Sequence, residues 1–298
     1  DGDQALVDLS ETDDQLSWPC NNPVASTESA VLTVFGQLAG SGVPTNDGIY
    51  RPIKMVTRKG SLVDPHHPAP VQSRMNAAYR TASAVKRALA EVAPVQFSCA
   101  GADTTNSITM SRIGDDGYEM FCEIVMGGMG AGLSNDGAEV VAQMLSNTGN
   151  TPTEAIEMDN AFVRITEYAL IPDSGGPGRL RGGLGVRRTY EIMKDGVLLS
   201  TYGDRHNMPP WSLEGGFEGS FSAFTLIRDG EEIRIPASTN MEVRKGDRFT
   251  IEISGGGGYG DPKLRDVAAV RDDLACGRIS IGAARDIYGL DAVEVAAE

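Results

Sequence analysis

Histidine is scarce in this chain, and so is cysteine. Of 298 residues only His66, His67 and His206 are histidines, and only Cys20, Cys99, Cys122 and Cys276 are cysteines. A catalytic zinc draws mostly on His and Cys side chains from well-spaced positions. His66 and His67 are neighbours inside the Pro-rich run Asp64-Pro65-His66-His67-Pro68, so they point in different directions. A complete metal site within the chain is therefore not expected. No cysteine pair has CxxC spacing, and four thiols in so long a chain make no disulfide framework. Buried free thiols in the reducing cytoplasm are the expectation. No apolar run approaches the ~18 residues of a membrane-spanning helix. The chain also lacks a Gly-x-Ser-x-Gly elbow and any Cys beside a His, and it has no phosphate-binding Gly-rich loop ending in Lys-Ser/Thr.

What is present is glycine and acid. The 36 glycines cluster, as in Gly127-Gly128, Gly182-Gly183 and Gly255 to Gly258. Clustered glycine marks turns and close backbone approaches. The formal net charge of -15 is spread along the sequence and disfavours nucleic acid as a partner. With 41% hydrophobic residues the composition is that of a globular protein with one large core or two smaller ones.

Ala5 to Leu9 alternates as a strand after a turn. Ser26 or Thr27 is positioned to cap a helix running to about Leu38, with Glu28 in its first turn. Residues 40–52 read as a loop, Ile53 to Val56 as a short strand, and Ser73 to Val92 as a long helix with Met75, Ala78, Tyr79, Ala82, Val85 and Leu89 on one face. From Ile108 the period falls to two. Ile108 to Met110, Tyr118 to Val125, Phe162 to Leu170, Gly185 to Met193, Val197 to Tyr202, Ser222 to Arg228, Glu231 to Ile235 and Phe249 to Ser254 read as strands. Asp195-Gly196 and Asp229-Gly230 carry the signal of type I′ hairpin turns. Helices over Leu264 to Cys276 and Ile281 to Tyr288 close the chain, with Gly277 as a stop between them. The fold class is α+β: an α/β portion over 1–160, a β-rich portion over 161–262 and a helical tail over 263–298.

Four stretches draw attention, each with a structural alternative. Gly255 to Gly260 follows a strand, but it lacks the Lys and Ser/Thr that hold phosphate and leads into Asp261-Pro262; close backbone packing around a tight turn is the alternative to nucleotide binding. Asp173 to Gly183 offers the planar forks of Arg179 and Arg181 to a carboxylate or carbonyl, or else to main-chain carbonyls. Asp204-Arg205-His206 reads as an ion pair fixing a strand end, or as a catalytic group. Asn147, Asn150, Thr151 and Glu154 surround Pro152, where Asn and Thr serve as caps.

Taken in order, these segments resemble the hydantoinase B/oxoprolinase family. The residues that carry the resemblance are Asn46 to Ile53, Gly60 to Pro65, Gly127 to Ala131, Asp136-Gly137, Asn147 to Glu157, Asp173 to Gly185 with Arg187, Asp204-Arg205, Gly246-Asp247, Gly255 to Pro262 and Tyr288-Gly289. Each motif alone is weak; their order over nearly the whole chain makes the match specific. The resemblance implies the carboxy-terminal part of a B-type subunit of an ATP-dependent cyclic-amide hydrolase, such as a hydantoinase, 5-oxoprolinase or caprolactamase. ATP and Mg are then bound mainly by a hydantoinase A-like partner subunit with an actin-like ATPase fold. The family's His-and-Asp metal motif lies in a part of the B-type subunit that these residues lack. A divalent metal and the remaining site residues are therefore expected from another segment or chain. Acetone and acetophenone carboxylases share the architecture, so a ketone carboxylase subunit is an alternative, and a noncatalytic assembly subunit is another. By motif position, the resemblance implies catalytic roles for Asp136, Asp204 and Arg205, and substrate contacts for Asn22, Asn46, Arg51, Asn147 and Arg181.

Overall fold

The computed structural model describes residues 3–39, 42–44, 46–93, 96–114, 117–141, 145–146 and 149–290. Its contacts group the chain into two units, 1–97 and 98–298.

The first unit pairs helices α1 (Val24–Gly36) and α3 (Arg74–Val92). α1 starts at Val24, directly after Pro23, rather than behind a Ser26 or Thr27 cap. Proline's fixed φ suits a helix entry. Thr27 instead accepts a hydrogen bond from Asn22 Nδ2 (2.9 Å) and donates to the Val63 carbonyl (2.7 Å). Ala30, Val31 and Val34 bury the inner face of α1, and Ala78, Tyr79, Ala82 and Val85 that of α3. The stretch expected as loop holds one short helix, α2 (Asp47–Tyr50), capped by Asn46, whose side chain accepts from Gly48 N–H. Strands β1 (Ala5–Asp8) and β2 (Ile53–Val56) form a two-stranded parallel sheet.

The second unit is built on antiparallel sheets. β3 (Asn106–Gly114), β4 (Gly117–Val125), β7 (Val197–Tyr202) and β10 (Thr239–Val243) form one, in the order β10-β7-β3-β4. β5 (Val163–Leu170), β6 (Val186–Ile192), β8 (Ala223–Arg228), β9 (Glu231–Ile235) and β11 (Arg248–Ile253) form the other, in the order β5-β6-β11-β8-β9. Both sheets send side chains into one core, including Ile108, Met110, Leu199, Tyr190, Phe224 and Phe249. Among the described residues the α-helices of this unit are α4 (Thr153–Asp159), α5 (Val267–Ala275) and α6 (Ile281–Asp286).

The two turn signals part company. Asp229 and Gly230 both have positive φ, 55° and 85°, and join the paired strands β8 and β9 as a hairpin. Asp195-Gly196 joins no hairpin: β6 lies in one sheet and β7 in the other. Asp195 Oδ1 accepts from Lys245 N–H (2.9 Å) at this crossover. Gly277, with φ 67°, ends α5 as expected.

Candidate functional site

Beside the two sheets lies a region with almost no side chains. The run Gly255 to Gly258 is extended, with a positive φ (75°) only at Gly260, so it makes no tight turn along its length. Its backbone bonds in several directions in succession. Gly256 N–H donates to the Gly183 carbonyl (2.9 Å), Gly257 to Ala100 (2.8 Å) and Gly258 to Phe217 (2.9 Å). The carbonyls of Gly256, Gly257 and Gly258 accept from Gly176 (2.7 Å), Ala131 (2.9 Å) and Leu213 (3.3 Å). A different neighbouring segment for each of three successive residues is unlike a strand in a flat ladder, which has one partner on each side. The segments around 100, 129–131, 174–185 and 210–219 thus form a weave around 255–258. Glycine is required at its crossings: a Cβ on Gly256 would lie 1.9 Å from the Met129 carbonyl oxygen, and one on Gly182 2.0 Å from that of Gly256.

This arrangement answers the nucleotide question. Phosphate sites in Gly-rich loops depend on backbone N–H groups that point at the ligand. Here Gly255 N–H donates to Ser220 Oγ (3.1 Å), and the next three serve carbonyls. The run does not fit ATP.

At one side of the weave the tail helix α5 is tied down by a ring of charges. Arg181 and Asp273 have side chains only 3% exposed, as does Arg265. Arg265 donates to both Asp136 oxygens (2.8 and 2.7 Å) and to Asp273 Oδ2 (2.7 Å). Arg181 Nε donates to the same Asp273 oxygen (3.2 Å), Nη1 to the Gly182 carbonyl (2.7 Å) and Nη2 to Glu139 (3.1 Å). The Arg181 N–H closes the ring on Asp136 Oδ1 (2.7 Å). Burial works to raise the Asp136 carboxyl, but the hydrogen bonds and charge of Arg265, then those of Arg181, hold it below the usual carboxylate range. A cavity of about 400 Å³ opens here, lined by Asp136, Glu139, Arg181, Arg265, Asp273 and Arg278 among others. The structure thus brings two expected site residues, Asp136 and Arg181, together. It adds Arg265 and Asp273, which lie in the tail and whose types and spacing carry no signal before the chain is folded.

Arg205 is spent on the backbone. Its guanidinium, 1% exposed, donates to the carbonyls of Ala102 (3.0 Å), Gly101 (3.0 Å) and Pro209 (3.3 Å). The guanidinium also pairs with Asp103 (3.8 Å), and Asp204 Oδ1 accepts from the Arg205 N–H (2.6 Å). Arg205 also holds a φ of 65°, in the left-handed region where a side chain is strained. The neighbouring His206 ring packs edge-on against Phe224 at 4.6 Å. Burial, then the charge of Arg234, pushes its pKa down to about 4 against a smaller opposing pull from Asp204.

In the first unit Asn22 is fully buried, Asn46 caps α2, and Arg51 is exposed and paired with Asp47 (3.1 Å). Asn147 lies outside the described residues. Its neighbours Asn150 and Thr151 make no side-chain cap on α4. Asn150 accepts from Met126 N–H (2.7 Å), and the Thr151 carbonyl accepts from Arg188 (2.6 Å). Fully buried Arg188 also donates to Glu123, which takes a second bond from the Tyr190 hydroxyl (2.6 Å). Burial raises the Glu123 carboxyl despite these partners. Among the described residues no group of three or more His, Cys, Asp or Glu is arranged to hold a metal ion, and no helix is long and apolar enough to cross a membrane.

Comparison with known proteins agrees with this architecture along the whole chain. A putative D-/L-hydantoinase B-type subunit from Pseudomonas sp. strain NS671 is 33% identical over 303 aligned positions, which cover 97% of this chain and 50% of that protein. The crystal structure of the ATP-dependent caprolactamase from Pseudomonas jessenii superposes with a TM-score of 0.87 at 27% identity, covering 98% of this chain and 53% of that one. A nucleotide-free acetone carboxylase has the same fold, with a TM-score of 0.84 at 19% identity over 96% of this chain and 43% of that one. The chain spans about half the length of the two Pseudomonas proteins. The family profile of hydantoinase B/oxoprolinase matches residues 1–262, and the chain belongs to that family.

Proposed function

We propose that this chain is part of the B-type subunit of an ATP-dependent cyclic-amide hydrolase acting on a hydantoin, a lactam or 5-oxoproline. The observation that carries the reading is the likeness to the caprolactamase, which extends over nearly every residue and combines sequence identity with the same fold. ATP is then bound by an A-type partner subunit, since the Gly-rich run here has its N–H groups engaged. A divalent metal, where the enzyme uses one, is held outside the described residues.

Within this reading the expected site residues divide by what their side chains have left to offer. Arg181, Arg205 and Asp136 have their hydrogen-bonding groups engaged within the fold. We assign them, with Asp204, to positioning: they fix the loops that border the substrate. Asn46 and Arg51 stand at the surface on α2, where an amide and a guanidinium can meet a carbonyl or phosphate oxygen. Asn22 and Asn147 complete the proposed set.

The test is an assay of the enzyme isolated from its native source. ADP release is measured on addition of hydantoins, lactams and 5-oxoproline, and separately of ketones with bicarbonate. ATP hydrolysis coupled to ring opening is the expected result. Coupling only to ketone and bicarbonate makes the protein a carboxylase subunit. Full turnover by the partner polypeptides without this chain leaves it an assembly subunit.

A further inference from the structure

The Asp136–Arg265 pair lines two cavities. One is that of the charge ring; the other, of about 350 Å³, is bordered also by Ser134, Arg179, Leu180, Leu264 and Asp266. The main chain beneath Arg179 is held from several directions. Its N–H donates to the Gly260 carbonyl (3.0 Å), and its carbonyl accepts from Arg265 Nη1 (3.3 Å). Leu180 and Tyr259 exchange N–H···O bonds both ways (3.0 and 2.9 Å). A Cβ on Gly178 would stand 2.6 Å from both the Leu180 carbonyl oxygen and the Tyr259 nitrogen, so the backbones already touch there. The Arg179 side chain is the opposite case. It is exposed, and among the described residues its guanidinium makes no hydrogen bond or ion pair; it stands over the Tyr259 ring, 6.0 Å from the centroid. A fixed stem with a free planar fork is a preorganised donor.

The acids of this cavity divide in the same way. Both Asp136 oxygens are taken by Arg265, and Oδ1 also by the Arg181 N–H. Asp266 is exposed and uses Oδ1 to cap α5 at the Ala268 N–H (2.8 Å), which leaves Oδ2. The exposed Ser134 hydroxyl has no bond within the fold among the described residues, and Leu264, 69% exposed, and half-buried Leu180 supply apolar surface. The cavity therefore offers one uncommitted cation, one uncommitted anion and an apolar wall. A phosphate meets a single guanidinium here and is repelled by Asp266. A plain carboxylate leaves Asp266 without a partner, and a plain amine faces Arg179.

We propose that this cavity binds the zwitterion of a small ω-amino acid. Arg179 forks its carboxylate, Asp266 Oδ2 accepts from its ammonium, and Leu180 and Leu264 cover the methylene stem. Opening a lactam with water yields such a molecule: the water oxygen bonds to the carbonyl carbon, the C–N bond breaks, and the acid proton ends on the released amine. A hydantoin opens to a carbamoyl amino acid, which has no ammonium. Glutamate from 5-oxoproline carries a second carboxylate for which the cavity holds no free cation. The assignment of the ligand as product rests on the hydrolase reading above and narrows it to lactams; the binding site itself does not depend on it.

The test is a ligand-observed NMR titration of the assembled enzyme, without ATP, using 6-aminohexanoate as probe and hexanoate as its partner lacking the ammonium. Binding of 6-aminohexanoate in the millimolar range is expected for so small a ligand. Hexanoate is expected to bind about tenfold more weakly. Arg179→Ala, which removes no bond from the fold, is expected to weaken both about tenfold. Asp266→Asn, which keeps the cap on α5, is expected to weaken only 6-aminohexanoate and so to close the gap between the two probes. Absence of saturable binding, equal binding by the natural and Arg179→Ala enzymes, or equal binding of the two probes to the natural enzyme overturns the site. If that happens while ATP-coupled ring opening is intact, the hydrolase reading stands without it. Binding that needs Arg179 and Asp266, in an enzyme that opens no cyclic amide, upholds the site and sinks the hydrolase reading.

Discussion

The second unit holds itself together in two unlike ways. Its two sheets share a core of interlocking side chains, where the Phe249 ring lies about 6 Å from those of Tyr190 and Phe224. The glycine weave beside them has main chain against main chain, with carbonyls about 2 Å from where a Cβ would stand. The core draws on apolar burial and can relax around a missing group, because neighbouring side chains change rotamer. The weave draws on hydrogen bonds among rigid peptide planes, which have no rotamer to change. One region tolerates change in proportion to its size; the other tolerates almost none.

A pair of substitutions tests that contrast most sharply. Gly256→Ala adds a single methyl against the Met129 carbonyl and is expected to abolish the folded second unit, seen as loss of soluble protein and of a cooperative melt. Phe249→Ala removes most of a buried ring and is expected to cost about 3–5 kcal/mol while leaving a folded protein. If Gly256→Ala melts within a few degrees of the natural chain, the weave is plastic and the contrast fails.

The charge ring comes next. Asp273→Ala leaves Arg181 and Arg265 buried without one of their acids and is expected to cost about 3–5 kcal/mol. Arg265→Met, which removes one charge but keeps volume, is expected to cost less than Asp273→Ala. Urea titrations of both variants check the order. An Asp273→Ala variant as stable as the natural chain means that solvent reaches the ring and that the tail is not clamped by it.

Much of this architecture is readable in the residues. Every strand with clear alternation is present, and Ile53–Val56, Val197–Tyr202 and Glu231–Ile235 keep their bounds. β10 escapes because Thr239-Asn240-Met241-Glu242 is mostly polar and pairs on one side only, with β7. α4 escapes because its seven residues bury Ile156 alone. Asp195-Gly196 misleads because a turn signal states local bending and not which strand comes next to which. The weave is illegible for a deeper reason: glycine reports room for a close approach, but the partners lie up to about 157 positions apart, as between Ala100 and Gly257. The site suffers likewise, since Arg265 and Asp273 become neighbours of Asp136 and Arg181 only in three dimensions.

The weave and the sheets meet at His206, next to weave-supporting Arg205 and against the core ring of Phe224. Its folded pKa of about 4 lies below the ordinary value of 6.5, so the unfolded chain takes up a proton first. The stability tied to neutral His206 is full above about pH 6.5 and is lost as pH falls through about 4. Partial exposure limits the slope to about 1 kcal/mol per pH unit or less within that window. Denaturation of the natural chain and of His206→Gln at pH 7, 6, 5 and 4 gives the difference. Parallel curves mean that the imidazole does not distinguish the folded from the unfolded state.

The smallest effect on stability belongs to Arg51, and it bears most directly on function. Its ion pair with Asp47 joins two side chains that are 76% and 87% exposed, where such pairs contribute little. Arg51→Ala is expected to leave the melting curve nearly unchanged, by about 0.5 kcal/mol or less. If Arg51 donates to a substrate or phosphate oxygen in the assembled enzyme, the same variant loses about tenfold or more in ATP-coupled ring opening, while Arg51→Lys restores part of it. Turnover equal to that of the natural enzyme removes Arg51 from the site and leaves α2 as a surface turn. The chain's two ways of using arginine separate here: Arg205 and Arg181 are costly to remove because the fold consumes their bonds, and Arg51 can matter to chemistry because the fold does not.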